Sequence, residues 1–257
     1  MSELTPILIA SFLGGIGALA GGVLLLFKKK LAESIIHILV PFAAGALLGT
    51  AFFDLIPEAV EHALELKSET NIFLWILVGI FFFYLLDRVI HWFQHHRTVS
   101  TGKHKGVTVP LVLIGDSVHN FIDGVAIAIT FLVNPSLGIV TTLAVAAHEL
   151  PQEVGDFAVL LHQGMSRKKV FFYNLLSALL SVVGAALTVL IGGDKVETIL
   201  PIALPLTAGF FIYIALSKLL PEIHDEEKKG YALWETLSLF AGAGLIWIAI
   251  TYLHHGH

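Results

Sequence analysis

Eight apolar runs, each long enough to cross a lipid bilayer and joined by short polar stretches, restrict this chain to very few folds. They lie at about 6–27, 35–59, 71–93, 108–132, 137–162, 169–192, 198–221 and 232–253. A crossing needs roughly 20 apolar residues. Inside hydrocarbon no water is available to backbone N–H and C=O groups, so each run must satisfy its own. The expectation is an all-α membrane protein of eight transmembrane helices, a single domain over residues 1–257. Composition agrees: 56% of residues are hydrophobic and only 14% charged, against about 25% charged in a soluble domain.

Absent chemistry narrows the function. There is no cysteine, so disulfides and thiolate metal sites are excluded and any metal must be held by nitrogen and oxygen. A net charge of -5, with the basic residues in short loops, gives no footprint for nucleic acid. The segment Met1 to Pro6 lacks a basic n-region, and the apolar run after it ends at Lys28-Lys29-Lys30, so a retained first span is expected rather than a cleaved signal peptide.

Basic residues predict the orientation. Lys28, Lys29, Lys30, Arg97, Lys103, Lys105, Arg167, Lys168, Lys169, Lys228 and Lys229 follow spans one, three, five and seven, whereas the other side has only Lys67 and Lys195. Cytoplasmic loops carry the Lys and Arg excess. Both termini are therefore expected on the extracytoplasmic side of a plasma (inner) membrane.

Span two ends Ala51-Phe52-Phe53-Asp54-Leu55-Ile56-Pro57-Glu58, and span seven ends Ala215-Leu216-Ser217-Lys218-Leu219-Leu220-Pro221-Glu222. Gly45 and Gly209 precede these runs at the same offset. The two spans run in opposite directions, so the likeness reads as an inverted repeat, helices 1–3 related to 6–8 around a central pair, a 3+2+3 arrangement found in secondary transporters. The competing reading is that Pro-Glu is a common way to leave a helix.

Two polar clusters interrupt adjacent apolar runs: His119-Asn120-Phe121-Ile122-Asp123-Gly124 in span four and His148-Glu149-Leu150-Pro151-Gln152-Glu153 in span five. Positions three and four apart share a helix face. Asp116, His119, Asn120 and Asp123 thus form one stripe; His148 pairs with Gln152, and Glu149 with Glu153, extended by Asp156. Pro151 has no N–H to offer the Ala147 carbonyl, which frees polar backbone beside the cluster. Intramembrane ionisable groups usually mark a substrate or ion pathway, and imidazole, carboxylate and amide together suit a divalent transition metal. A structural network of protonated carboxylates is the competing reading.

The two motifs together resemble the ZIP (Zrt/Irt-like) divalent-metal transporters. His119-Asn120-Phe121-Ile122-Asp123-Gly124 is similar to the family's fourth-helix H-N-x-x-[DE]-G, and His148 to Ala158 resembles the H-E-x-P-H-E-x-G-D-F-A fifth helix of one zinc-importing branch. The resemblance implies a metal transporter, not an enzyme, importing Zn²⁺ (with Fe²⁺, Mn²⁺ or Cd²⁺ as alternatives) toward the cytosol as a homodimer. It implies ligands at His119, Asn120, Asp123, His148, Glu149 and Gln152. His119, His148, Asp123 and Gln152 would form a primary site; Asn120 and Glu149, sharing Asp123, a second. It further implies two bundles, spans 1, 4, 5 and 6 sliding past spans 2, 3, 7 and 8. Gln152 replaces the branch's histidine, which favours harder ions such as Mn²⁺ or Fe²⁺. Span six offers only Asn174, Ser177 and Ser181 at mid-depth, where some relatives place a glutamate.

Other signals are weaker. His91, His95, His96 and His104 near the third loop, and His254, His255 and His257 at the C-terminus, are of a type that collects metal, or are solvated chance. Asp54, Glu58, Glu61, His62 and Glu65 at the outer end of span two read as an entrance field, and Glu222, His224, Asp225, Glu226 and Glu227 as an exit station. Phe81-Phe82-Phe83-Tyr84, Trp75, Trp92, Trp234 and Trp247 read as lipid-facing. An intramembrane hydrolase is the alternative function, but the stretch from His148 to Gln152 lacks the second histidine of H-E-x-x-H.

Overall fold

The computed structural model describes residues 4–100, 109–192, 196–221 and 232–254; among these there is no strand. The helices are α1 (Leu4–Phe27), α2 (Lys29–Thr50), α3 (Ile56–Glu65), α4 (Ile72–Ser100), α5 (Val109–Val133), α6 (Pro135–His162), α7 (Arg167–Gly192), α8 (Val196–Ile214) and α9 (Ala232–His254). α2 passes into α3 through a single π-helical turn, Ala51–Leu55, so the two make one membrane-length element. The eight expected spans correspond to α1, α2–α3 and α4 through α9.

Local chemistry explains the best-defined boundary. Asn134 caps α6: its side chain accepts the Leu137 N–H at 2.7 Å, and Pro135 opens the helix with a preset φ. Pro151 does not end α6, which runs unbroken past it. One boundary departs from expectation. Lys28 alone connects α1 and α2, and Lys29 and Lys30 lie in the first turn of α2 rather than in a loop. Cations oppose the dipole there, so this start is dictated by the tight return of α2 onto α1 and not by local preference.

The run that resembles Ala51–Leu55 in sequence is also π-helical: Ala215–Leu219 continues α8. The Ile56 N–H reaches back to the Ala51 carbonyl, and the Leu220 N–H to the Ala215 carbonyl. In each case a proline follows two residues after the wide turn. A proline ring clashes with the carbonyl four residues earlier, here Phe53 and Ser217, and a wider turn relieves that clash.

α1 packs on α6 and α7, and α5 on α7 and α6; α2 packs on α9, and α4 on α8. The principal contact between the two groups is α2 with α6. Glycines make the closest crossings. A Cβ at Gly45 would fall on the Leu239 carbonyl of α9, and one at Gly209 on the Ile76 carbonyl of α4. α6 is the one membrane-length helix outside the seven that length and composition alone single out as spans, because Glu149, Glu153 and Asp156 interrupt its apolar sequence. It lies among α1, α2 and α5, which supply the lining those groups need.

Phe81, Phe82, Tyr84, Trp234 and Trp247 are exposed, in keeping with the lipid-facing assignment; Trp75 is half-buried, the Trp92 side chain lies outside the described residues, and Phe83 needs correction. Phe83 is buried, its ring 4.1 Å from that of Phe210. Four consecutive helical residues span more than a full turn, so one of them must face inward.

Candidate metal centre

His119 and Asp123 stand one turn apart on α5, and His148 and Glu149 are neighbours on α6. Antiparallel packing of these two helices brings all four side chains together, and all four are buried. The two imidazole Nε2 atoms are 3.2 Å apart. Nε2 of His119 lies 3.6 Å from Asp123 Oδ2 and 3.3 Å from Glu149 Oε1. Nε2 of His148 lies 3.4 Å from Asp123 Oδ2 and 3.7 Å from Glu149 Oε1.

The protonation pattern of His148 follows from its other ring nitrogen. Nδ1 stands 3.1 Å from the Ala144 carbonyl, which can only accept, so Nδ1 carries the proton. In the neutral ring, Nε2 then presents a lone pair to the cage, the arrangement a metal-bound histidine needs. Both oxygens of Asp123 and both of Glu149 lack a hydrogen-bond partner. The cage thus gathers four carboxylate oxygens without partners and the His148 lone pair, to which His119 Nε2 can donate at 3.2 Å when no ion is bound. Phe210 and Phe211 of α8 wall it in, with ring centroids 5.6 Å from His119 and 6.4 Å from His148 respectively.

Asn120 and Gln152 lie beside this cage and turn toward Asp116. The Asn120 amide donates to Asp116 Oδ1 at 2.9 Å and to the Asp116 carbonyl at 3.2 Å. Its own Oδ1 is buried without a partner. Gln152 lies close to the Asp116 carboxylate. Asp116, Glu149 and Glu153 form a second gathering of buried carboxylates. Glu149 belongs to both groups. Asp116 and Glu153 stand outside the ligand set read from the motifs, although their spacing from Asn120 and Glu149 was available in the sequence.

Asn174, Ser177 and Ser181 of α7 face inward: Asn174 donates to the Val170 carbonyl at 2.8 Å while its Oδ1 is buried without a partner, and Ser177 donates to Ser117 at 3.1 Å. At the other end of α5, Asn134 donates to Glu58 at 3.3 Å, while His62 lies 3.6 Å from Glu58 and 3.8 Å from Glu65. An intramembrane ion pair also emerges: Lys218 Nζ sits 3.2 Å from Asp87 Oδ1, and the Tyr213 hydroxyl donates to Asp87 Oδ2 at 3.1 Å. This pair ties α8 to α4. The side chains of His91, His95, His96, His104, His254, His255 and His257, and the run Glu222 to Glu227, lie outside the described residues.

The family model described as "ZIP Zinc transporter" matches residues 4–110 and 93–249. The chain belongs to the ZIP zinc transporter family. Among its relatives, "Zinc transporter ZIP13" of Pongo abelii is 35% identical over 214 residues, covering 79% of this chain and 63% of that protein. "Zinc transporter SLC39A7" of Mus musculus is 30% identical over 296 residues, with 83% and 62% covered. "Zinc transporter foi" of Drosophila melanogaster is 40% identical over 145 residues, with 55% and 20% covered. The chain spans about three-fifths of the length of the first two and a fifth of the third. As a member of the ZIP family with membrane-length apolar helices, it is an integral membrane protein.

Proposed function

We propose that this ZIP-family chain carries divalent transition-metal ions, zinc foremost, across the membrane into the cytosol. Fe²⁺, Mn²⁺ and Cd²⁺ are the further ions its ligand chemistry admits. The observation that carries this reading is the cage: two imidazole nitrogens 3.2 Å apart, with carboxylate oxygens that have no donor, at mid-helix depth. His119, Asp123, His148 and Glu149 hold the ion directly. Asn120 and Gln152 complete the set through their amide oxygens, which reach the ion by rotation away from Asp116. The protein is a carrier and not a hydrolase: Gln152 stands where a zinc hydrolase of the H-E-x-x-H type needs its second histidine.

The carrier is a single domain with both termini on the extracytoplasmic side of the plasma membrane, as the loop charges favour. The 3+2+3 inverted repeat is supported by the matched π-helical turns and by reciprocal glycine crossings, α2 on α9 and α8 on α4. Sliding of α1, α5, α6 and α7 past the remaining helices moves the cage between faces, and family resemblance adds a homodimer. In this orientation Asp116, Glu153 and Asp156 lie on the cytoplasmic side of the cage, an acidic descent for the departing ion.

The test is Zn²⁺ uptake into proteoliposomes. Saturable uptake is expected for wild type and its loss for His119→Ala and His148→Ala at equal protein per vesicle. Undiminished uptake by either variant would sink the assignment, and peptide cleavage without uptake would favour the hydrolase.

A further inference from the structure

We infer that Asp116, Glu149 and Glu153 form a second, oxygen-only divalent-cation site, joined to the histidine cage through Glu149. The inference rests on the transport reading of that cage. It departs from the ligand pattern implied by the motifs, in which a second site draws on Asn120, Glu149 and Asp123.

Geometry comes first. One carboxylate oxygen from each of the three residues lies within 4.8 Å of the others. Oxygens on opposite sides of a six-coordinate divalent ion stand about 4–5 Å apart. Glu153 is 1% exposed, and neither of its oxygens has a hydrogen-bond partner; the same is true of Asp116 Oδ2 and of both Glu149 oxygens. By contrast, Asp116 Oδ1 is held by the Asn120 amide at 2.9 Å. One oxygen of Asp116 is therefore anchored while the other stays open toward its neighbours, as an oriented metal ligand requires.

Charge comes second. Asp116, Asp123, Glu149 and Glu153 are all buried. Buried carboxylates need protons or cations as partners, and a divalent ion among Asp116, Glu149 and Glu153 would satisfy the oxygens that the protein itself leaves without one. Lys218 is engaged by Asp87 at 3.2 Å. Ligand type then selects the ion: a site without nitrogen suits harder cations such as Mn²⁺ better than the cage beside it does. It also lies where α7 contributes no carboxylate, so α5 and α6 supply both sites.

Mn²⁺ binding to the full chain purified in detergent tests this by equilibrium dialysis. Two Mn²⁺ per wild-type chain are expected. Glu153→Gln and Asp116→Asn should each retain one, as should His119→Ala, which spares the oxygen site. Every variant is checked for wild-type elution and melting. One Mn²⁺ in wild type, abolished by His119→Ala, would overturn the second site and leave the cage standing. Two Mn²⁺ retained in both Glu153→Gln and Asp116→Asn would overturn it as well. No binding to wild type would overturn both readings.

Discussion

Gly21→Ala probes how finely the helix packing sets the metal cage. Gly21 is buried in α1 against α6, and a Cβ there would stand 2.5 Å from the Leu150 carbonyl oxygen. Carbon and carbonyl oxygen normally keep about 3.3 Å apart, so the helices must part by about 0.8 Å. The obstacle is backbone, with no flexible side chain to yield. Leu150 directly follows Glu149, so the displacement enters the cage at one of its ligands. Metal sites tolerate ligand displacements of about 0.2 Å. The overpacking cost is about 1–3 kcal/mol, and if it is expressed in metal affinity the loss is about 5- to 150-fold. Gly17→Ala is the control: same helix, same propensity change, and nothing within 4 Å of the added carbon. The assay is the apparent transport constant for Zn²⁺ in proteoliposomes, with melting temperature in detergent for both variants. Gly21→Ala indistinguishable from Gly17→Ala in both measurements would refute the claim that this crossing positions Glu149.

Three further outcomes are expected. Gln152→His should raise apparent affinity for Zn²⁺ relative to Mn²⁺, since an imidazole joins the helix face of His148; an unchanged ratio would remove residue 152 from the ion's path. Gln163→Cys, in the exposed turn between α6 and α7, should react with a membrane-impermeant thiol reagent only in opened cells, and labelling of intact cells would reverse the orientation and the direction of import. Asp87→Asn and Lys218→Gln should each destabilise more than half as much as the double variant, with a coupling of about 0.5–3 kcal/mol; strict additivity of melting shifts would show that the α4–α8 pair contributes nothing.

The span positions and the two motifs were legible in one dimension because both depend on short-range periodicity. Apolar length marks a membrane helix whatever its neighbours are, and spacing by three and four marks a face. The partnerships between helices were not legible. Asp116 and Glu153 sat on the correct stripes, yet only the rotation of α5 against α6 brings them together with Glu149. Phe210 and Phe211 wall the cage from a helix some sixty residues further along the chain, and no local spacing announces that. Asp87 meets Lys218 only because α8 packs on α4.

The Pro-Glu runs show how a weak sequence signal gains physical content. As letters, the likeness of Ala51–Glu58 to Ala215–Glu222 allowed either ancestry or a common helix exit. An exit requires only that the helix stop near its proline. The first does not stop: Ile56–Glu65 carries it past Pro57. Both helices widen into a π-turn ahead of the proline, and both carry an upstream glycine lodged against a partner's carbonyl. Pro57 is therefore held within a membrane-length element, and in each helix the wide turn shifts its own side chains around the axis. That shift buries Asp54 within one turn, while in the other Lys218 meets Asp87. Opposite charges at matched positions make the two turns alike in backbone and unlike in electrostatics. In the inverted-repeat carrier proposed above, that asymmetry would let the two faces treat a cation differently.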